Sequence, residues 1–188
     1  KVQYDLLFIT HLPAFYKVNL YNNIAKKLRV FVIFVSDASS IRTADFTQSE
    51  MNFDYCVLNE SAFEKRHLLA SLSRLFRSLQ KISFKKIVVG GWDLPEFWLA
   101  IFYAKREQNQ LALESSVFES ATNGIRGWIK KLFLSRISLV FPSGDPHVAL
   151  LQDLRFQGQV KKTQGVGIFN YQTRNLYPKS FSGKFLYV

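Results

Sequence analysis

The stretch that decides the fold is "KIVVGGWDLPEFWLAIFYAKREQNQLALESS", Lys86 to Ser116. It contains a β-branched apolar segment, a Gly-Gly-Trp-Asp turn, an amphipathic segment, a second short apolar segment, and then Glu114 followed by two serines. A strand, a helix and another strand in this order indicate a βαβ unit of a parallel sheet. Ligands of such sheets bind beyond the carboxyl ends of the strands, so we expect one beside Gly90-Gly91 and Glu114.

The rest of the chain repeats this alternation of apolar strands and amphipathic helices. Continuous apolar runs suit parallel strands that are covered on both faces, and apolar residues at helical spacing separate them. We therefore predict an α/β fold, a Rossmann-like doubly wound parallel sheet flanked by helices. The further strands are predicted at Tyr4–Thr10, Arg29–Ser36, Phe53–Asn59, Ser138–Gly144 and Val160–Gln164, and the further helices include Leu68–Ile82, Arg126–Arg136 and Asp145–Phe156.

Composition excludes several classes of protein. The single cysteine, Cys56, rules out an internal disulfide framework, fits a reducing compartment and is predicted to be a buried structural thiol. The net charge of +11 is concentrated in residues 61–86 and 126–188, which suits a surface for phosphate, nucleic acid or anionic lipid. No zinc pattern or RNP-like strand favours nucleic acid, and no G-x-G-x-x-G turn or Walker loop is present. We therefore expect no nucleic-acid partner.

The last residues predict a domain boundary. "NYQTRNLYPKSFSG", residues 170–183, is polar and aromatic with Pro178 and Gly183 as breakers, which is typical of a linker, and "KFLYV" then begins a new apolar strand. We expect residues 1–169 to form one domain, 170–183 a linker, and 184–188 the start of a second domain in a longer protein.

Six segments, taken together and in order, resemble a known family. The chain is similar to the amino-terminal half of GT-B glycosyltransferases, close to the large family four group that builds bacterial lipopolysaccharide, capsule and related glycans. It departs from many members in having "THLPAFY" where they have a Gly-rich loop, and Gln164-Gly165-Val166-Gly167 where they read Asn-Gly-Val-Asp. The segments are "LPAFYKVNLYNNIAKKLRVFVIFVS", "FDYCVL", "VVGGWDLPEFWLAIFYAK", "LALESS", "GWIKKLFLSRISLVFPSG" and "QGVGIFNY".

The resemblance implies a function and assigns the two substrates of the reaction to two different domains. This domain would bind the acceptor, a glycan or a lipid-linked glycan, of an enzyme that transfers a sugar from a nucleotide sugar. The donor site would lie on a carboxy-terminal domain whose Glu-containing motif is absent here, so we expect no cofactor, no metal and no turnover from this fragment alone. The expected location is cytoplasmic, at the inner face of the cytoplasmic membrane. The alternative is a non-catalytic sugar- or nucleotide-binding domain with the same fold.

The candidate site residues follow the predicted strands. Glu114, at a strand end, is the candidate general base, because a desolvated carboxylate can acquire a pKa suited to that role; in a retaining enzyme it would only orient the acceptor. Its alternative role is a helix cap or a partner for a nearby arginine. Ser143 and Asp145 also fit a cap of the helix that Pro146 opens. The acceptor-binding candidates are His11, Pro13, Tyr16, Gly90, Gly91, Trp92, Asp93, Ser115, Ser143 and His147.

The basic helix predicted at Arg126–Arg136 suggests a second partner. Its apolar residues share one face and its basic residues surround the other, a pattern typical of helices that lie on anionic membranes. Leu132 and Phe133 fit core packing better, and Trp128 is the best membrane candidate. The membrane-surface candidates are Arg126, Trp128, Lys130, Lys131 and Arg136.

Overall fold

The computed structural model describes residues 2–40, 50–114 and 121–163. Strands and helices alternate almost throughout this part of the chain. In order they are β1 (Gln3–Thr10), α1 (Phe15–Ala25), β2 (Val30–Phe34), β3 (Asp54–Val57), α2 (Leu68–Lys81), β4 (Ser83–Val89), α3 (Pro95–Tyr103), β5 (Asn109–Leu113), α4 (Gly124–Ser135), β6 (Leu139–Pro142), α5 (Asp145–Asp153) and β7 (Gln159–Val160).

All seven strands pair in parallel, in the order β3-β2-β1-β4-β5-β6-β7. The predicted α/β Rossmann-like fold is confirmed. β1 lies between β2 and β4, with Ile9 opposite both Ile33 and Val89. The chain leaves β1 toward one edge and returns to build the other, so the strand order reverses between β1 and β4. Ligands of open α/β sheets bind at such a switch point.

The sheet is packed on both faces, although unequally. Alternate strand residues point to opposite faces. Leu7 and Ile9 of β1 join a large core with residues of α2, α3, α4 and α5. Leu6 and Phe8 face the other way and pack beside a smaller core of α1 and β2 residues, including Val18 and Tyr21. One described helix, α1, therefore covers one face, and four cover the other.

Some predicted boundaries were wrong by a few residues. The helix predicted to reach Phe156 ends at Asp153, because Arg155 adopts a positive φ of 56° that stops the helical path. The expected cap by Ser143 or Asp145 was also wrong: the N-cap of α5 is Gly144, without a side-chain hydrogen bond. The predicted linker and second domain, residues 170–188, lie outside the described residues.

Candidate functional site

The candidate site lies where β1, β4 and β5 end. His11 directly follows β1, Gly90 to Asp93 follow β4, and Glu114 follows β5. β4 is the neighbour of both β1 and β5 in the sheet, so these residues meet at one edge. Lys17, in the first turns of α1, reaches the same edge from the helix. The sequence reasoning found His11, Asp93 and Glu114 but not Lys17.

His11 and Asp93 form the first charged pair of the site. The Nε2 atom of His11 lies 2.8 Å from Oδ2 of Asp93. Burial raises the pKa of Asp93, but the hydrogen bond and charge of His11 and the charge of Lys17 outweigh burial and hold this pKa below its ordinary value. Asp93 is therefore an ionised carboxylate at neutral pH.

Two aromatic rings fix the orientation of the His11 ring. Phe97, which is fully buried at the start of α3, meets it edge to face, with ring centroids 5.1 Å apart at 80°. Phe63 contacts it at 5.7 Å. The guanidinium of Arg66 lies 4.1 Å above the Phe63 ring and holds that ring in turn.

Lys17 and Glu114 form the second charged pair. The Nζ atom of Lys17 lies 3.3 Å from Oε2 of Glu114 and donates to Oγ1 of Thr10 at 3.2 Å. The Lys17 side chain is 14% exposed and that of Glu114 is 34% exposed. Burial lowers the pKa of Lys17, but the neighbouring oxygens of Tyr21, Glu114 and Tyr16 more than offset it and raise this pKa. Lys17 is therefore a positively charged partner for Glu114, in the place where the sequence suggested an arginine.

The two glycines after β4 differ in what they permit. A Cβ atom added to Gly90 would meet Thr10, Ile9 and Phe97 at ordinary distances of 3.4–3.6 Å. A Cβ atom added to Gly91 would overlap Oδ1 of Asp93. Gly91 thus leaves room for the Asp93 carboxylate, which is a specific reason for glycine at this position.

A buried polar network supports the site from behind. Glu96, in the first turn of α3, is fully buried and accepts hydrogen bonds from Nε of Arg66 at 3.0 Å and from Oγ of Ser71 at 2.7 Å. Asn59 donates to Ser71 and to the carbonyl of Val35. The sequence reasoning missed this network, because an acidic residue after Pro95 is the usual pattern of an exposed first helical turn.

The other acceptor-binding candidates occupy varied positions around the edge. Pro13 is buried in the loop before α1, and Tyr16 is half-buried and contacts Phe15. The carbonyl of Trp92 accepts a hydrogen bond from Trp98, and the Trp92 ring lies 5.7 Å from Nζ of Lys130. The contact with Lys130 places Trp92 beside α4, and the hydrogen bond from Trp98 ties it to α3.

Ser143 and His147 lie one strand further along the edge. The backbone nitrogen of Ser143 donates to the carbonyl of Leu113, next to Glu114, and the Ser143 hydroxyl lies 3.3 Å from Nδ1 of His147. Ser115, the remaining candidate, lies outside the described residues.

A cavity of about 330 Å³ opens beside Glu114, between α1 and the sheet. Its walls are mainly apolar and include Phe8, Leu20, Ala112 and Phe141. This volume lies at the lower end of the range typical of small-molecule pockets.

The surface of α4 combines exposed apolar and basic side chains. Ile125 is 76% exposed and Trp128 is 62% exposed, whereas Phe133 is buried as the sequence predicted. Leu132, assigned to the core with Phe133, is instead partly exposed, which is a correction.

The basic residues of α4 divide into two groups. Arg126 and Lys131 are exposed. Lys130 donates to the carbonyl of Ala121, and Arg136 donates to the carbonyl of Ala104 while lying over the Phe102 ring. Lys130 and Arg136 are therefore partly engaged within the protein.

The described residues contain neither a helix that could span a membrane nor a group of side chains that could hold a metal ion. Within 2–40, 50–114 and 121–163, each helix is too short or too polar to cross a bilayer, and the same ranges contain no cluster of metal-ligating side chains. Comparisons with family models, with curated proteins and with solved structures gave no match.

Proposed function

We propose that this domain binds the acceptor of a GT-B type glycosyltransferase, which transfers a sugar from a nucleotide sugar to a glycan or lipid-linked glycan. One observation carries the proposal: two charged pairs, His11–Asp93 and Lys17–Glu114, meet at the switch point of a parallel sheet. Ligands bind at this position in open α/β sheets. The likeness of six ordered segments to the family supplies the reaction class.

The chemistry of the two pairs suits a sugar hydroxyl. Hydroxyl groups both donate and accept hydrogen bonds. The carboxyl groups of Asp93 and Glu114 offer acceptors, and the ammonium of Lys17 offers a donor, at the same edge of the sheet as the imidazole of His11. In this proposal Glu114 and Lys17 orient the acceptor, and the donor nucleotide lies on a separate domain.

The binding test uses the domain by itself. Backbone amide NMR spectra of the chain are recorded while a polyprenyl-linked glycan in detergent micelles, or a nucleotide sugar, is added. We expect the glycan to shift the amide signals of residues 10–12, 14–17, 90–93 and 114, and the nucleotide sugar to leave them unchanged. Shifts produced by the nucleotide sugar alone would favour the alternative, a non-catalytic nucleotide-binding domain. Empty micelles serve as the control.

We also propose that α4 rests on an anionic membrane surface, which suits a lipid-linked acceptor. The support is the combination of exposed Ile125 and Trp128 with exposed Arg126 and Lys131. Each basic residue near an anionic surface contributes about 1 kcal/mol. The Lys131→Glu and Trp128→Ala variants should each weaken binding to phosphatidylglycerol vesicles by about tenfold.

The matched control for this membrane experiment is Lys27→Glu. Lys27 is exposed and lies beyond the end of α1, the helix on the opposite face of the sheet from α4. Its variant has the same net charge as Lys131→Glu, so vesicle flotation separates a local contact from general attraction. Equal loss in both variants would contradict an oriented contact through α4.

A further inference from the structure

A second cavity, of about 350 Å³, lies at the amino ends of β5, β6 and β7. It opens between the carboxyl-terminal ends of α4 and α5, which directly precede β6 and β7, and beside the short turn at Arg106 that precedes β5. The candidate acceptor site lies at the carboxyl ends of the strands, where Glu114 follows β5. The two sites are therefore at opposite ends of the parallel strands.

The floor of this second cavity is apolar. Leu134 and Leu154 belong to the buried core at 3% and 2% exposure, and Phe156 packs against the same core. Gly158 makes room for the Phe156 ring, because a Cβ atom at Gly158 would overlap Cζ of that ring. The fold thus builds an apolar floor that suits a hydrocarbon chain.

The walls of the same cavity carry positive charge. Of the described residues that line it, three are cationic, Arg106, Lys131 and Arg155, and none is acidic. All three are exposed. None of them forms an ion pair with another residue of 2–40, 50–114 or 121–163. Cations without a counter-charge around one cavity attract an anion.

Cationic side chains near the ends of helices also have an ordinary explanation. They offset the negative carboxyl-terminal end of a helix dipole. Lys131 of α4 and Arg155 after α5 both fit that explanation. It does not account for the backbone conformation of Arg155, because a cation at an unstrained neighbouring position would serve the helix equally well.

The backbone of Arg155 adopts a left-handed conformation with a φ of 56°, unlike every other non-glycine residue that the structure describes. The nitrogen of Phe156 donates to the carbonyl of Leu151, and that of Arg155 donates to the carbonyl of Gln152, which together form a Schellman motif. Glycine is the usual residue at the left-handed position of this motif, because a Cβ atom is strained there. Strained residues concentrate at functional sites. An arginine at this position therefore argues for a role of its side chain.

We propose that this cavity binds an anionic amphiphile, a phosphate monoester that carries a short apolar chain. The phosphate would interact with the three cationic side chains, and the chain would cover the apolar floor. A phosphate monoester suits three cations better than a carboxylate does, because it carries about two negative charges and matches the fork of an arginine. The cavity volume is typical of a site for a small ligand. This site is separate from the proposed acceptor site and does not depend on sugar transfer.

The first experiment titrates the chain with octyl phosphate, kept below its micelle-forming concentration, and follows the backbone amide NMR signals. We expect the signals of residues 131–135 and 154–157 to shift, and those of residues 90–93 and 114 to stay in place. Inorganic phosphate and octanol each carry one half of the ligand and should bind about tenfold more weakly. Shifts confined to residues 90–93 and 114, equal binding of either half, or no shifts at all would overturn the proposal.

The second experiment separates backbone strain from charge at Arg155. Arg155→Gly relieves the strained backbone, so the melting temperature should rise by about 2 °C. The same variant should bind octyl phosphate about tenfold more weakly, because a charged hydrogen-bond donor is lost. Arg155→Lys keeps the charge and should retain most of the affinity. A more stable Arg155→Gly chain with unchanged affinity would overturn the proposal.

Two further variants control this measurement. Arg106→Gln removes a cation from an unstrained position of the cavity and should also weaken binding about tenfold, whether or not Arg155→Gly folds. Lys27→Ala removes one positive charge beyond α1, on the other face of the sheet, and should leave the affinity within about twofold. Equal losses in Arg106→Gln and Lys27→Ala would reduce the effect to general attraction and overturn a specific site.

The last experiment identifies the source of the phosphate. Vesicles that contain phosphatidic acid, whose head group is a phosphate monoester, are compared with phosphatidylglycerol vesicles of equal surface charge. A preference for phosphatidic acid that is lost in Arg155→Gly supports a lipid ligand, and binding of octyl phosphate without such a preference supports a soluble one. None of these measurements involves sugar transfer, so failure of this proposal leaves the proposed function intact, and the reverse also holds.

Discussion

Asp93 and Glu96 lie three residues apart, the first just before α3 and the second in its first turn, yet their surroundings differ completely. Glu96 is fully buried, and its carboxylate is saturated by Arg66 and Ser71. Asp93 is 53% exposed and bonds to His11 through one oxygen. Glu114, at 34% exposure, lies between these extremes.

The difference between these carboxylates separates structural from functional charge. A carboxylate whose hydrogen-bonding capacity is fully used inside the protein has none left for a ligand, and its loss harms folding. An open carboxylate contributes little to stability and keeps capacity for a substrate. The three residues therefore form a series in which the expected cost to stability falls as exposure rises.

The largest expected effect is at the buried end of this series. Glu96→Ala leaves the Arg66 guanidinium without its counter-charge in a mostly buried site. We expect a loss of about 3 kcal/mol in the free energy of unfolding, measured by urea denaturation. Asp93→Ala, the matched control three residues earlier, should cost less than about 0.5 kcal/mol. Equal losses in both variants would contradict the distinction.

The middle of the series predicts an intermediate loss. Glu114→Gln removes the charge that faces Lys17 but keeps a hydrogen-bond acceptor. Because solvent reaches Glu114, we expect about 1 kcal/mol in the same assay. Lys17→Met removes the buried charge itself, so the double variant should be more stable than Glu114→Gln alone. A double variant less stable than either single one would rule out this ion-pair explanation.

The loss of stability at low pH should also be larger for the buried Glu96 than for the exposed Asp93. The Arg66 and Ser71 contacts outweigh burial and hold the pKa of Glu96 below its ordinary 4.5. A carboxyl group with a lowered folded-state pKa adds stability that is present above about pH 4.5 and is lost as the pH falls through the folded-state value. We expect the urea midpoint to fall between about pH 5 and pH 2.5. Glu96→Gln should flatten this fall more than Asp93→Asn does.

The sequence predicted the fold better than it predicted the site. Apolar runs such as Val30–Phe34 contain enough local information to indicate parallel strands, and the Gly-Gly turn marked a true strand end. His11 and Asp93 could be predicted as edge residues because the edge follows from strand boundaries. Their pairing could not, since the two residues are far apart in the chain and meet only through the β1–β4 register.

The buried network was beyond sequence reasoning for a related reason. Arg66 precedes α2 and Glu96 begins α3, so each looks like an ordinary charged residue at a helix end. Only the packing of α2 against α3 excludes water and buries the Arg66–Glu96 pair. Lys17 was hidden in the same way, because a lysine in a helix is usually solvated.

The smallest expected change in stability concerns Asp93, the most exposed of the three carboxylates, whose position depends on Gly91 and not on Gly90. Gly91→Ala would push the Asp93 carboxylate away from its place, and that carboxylate is a mobile side-chain terminus, so the fold should lose less than about 1 kcal/mol. Gly90→Ala, with neighbours at 3.4 Å or more, is the matched control. We expect Gly91→Ala alone to disturb the His11–Asp93 contact, measured as a change in the NMR signals of the His11 ring. In a sugar-transfer assay of the full-length protein, Gly91→Ala should be about tenfold slower, because a displaced Asp93 carboxylate would misorient the acceptor. Equal behaviour of the two variants would mean that the position of Asp93 does not matter, and a large stability loss in Gly91→Ala would move Asp93 to the structural side of the series.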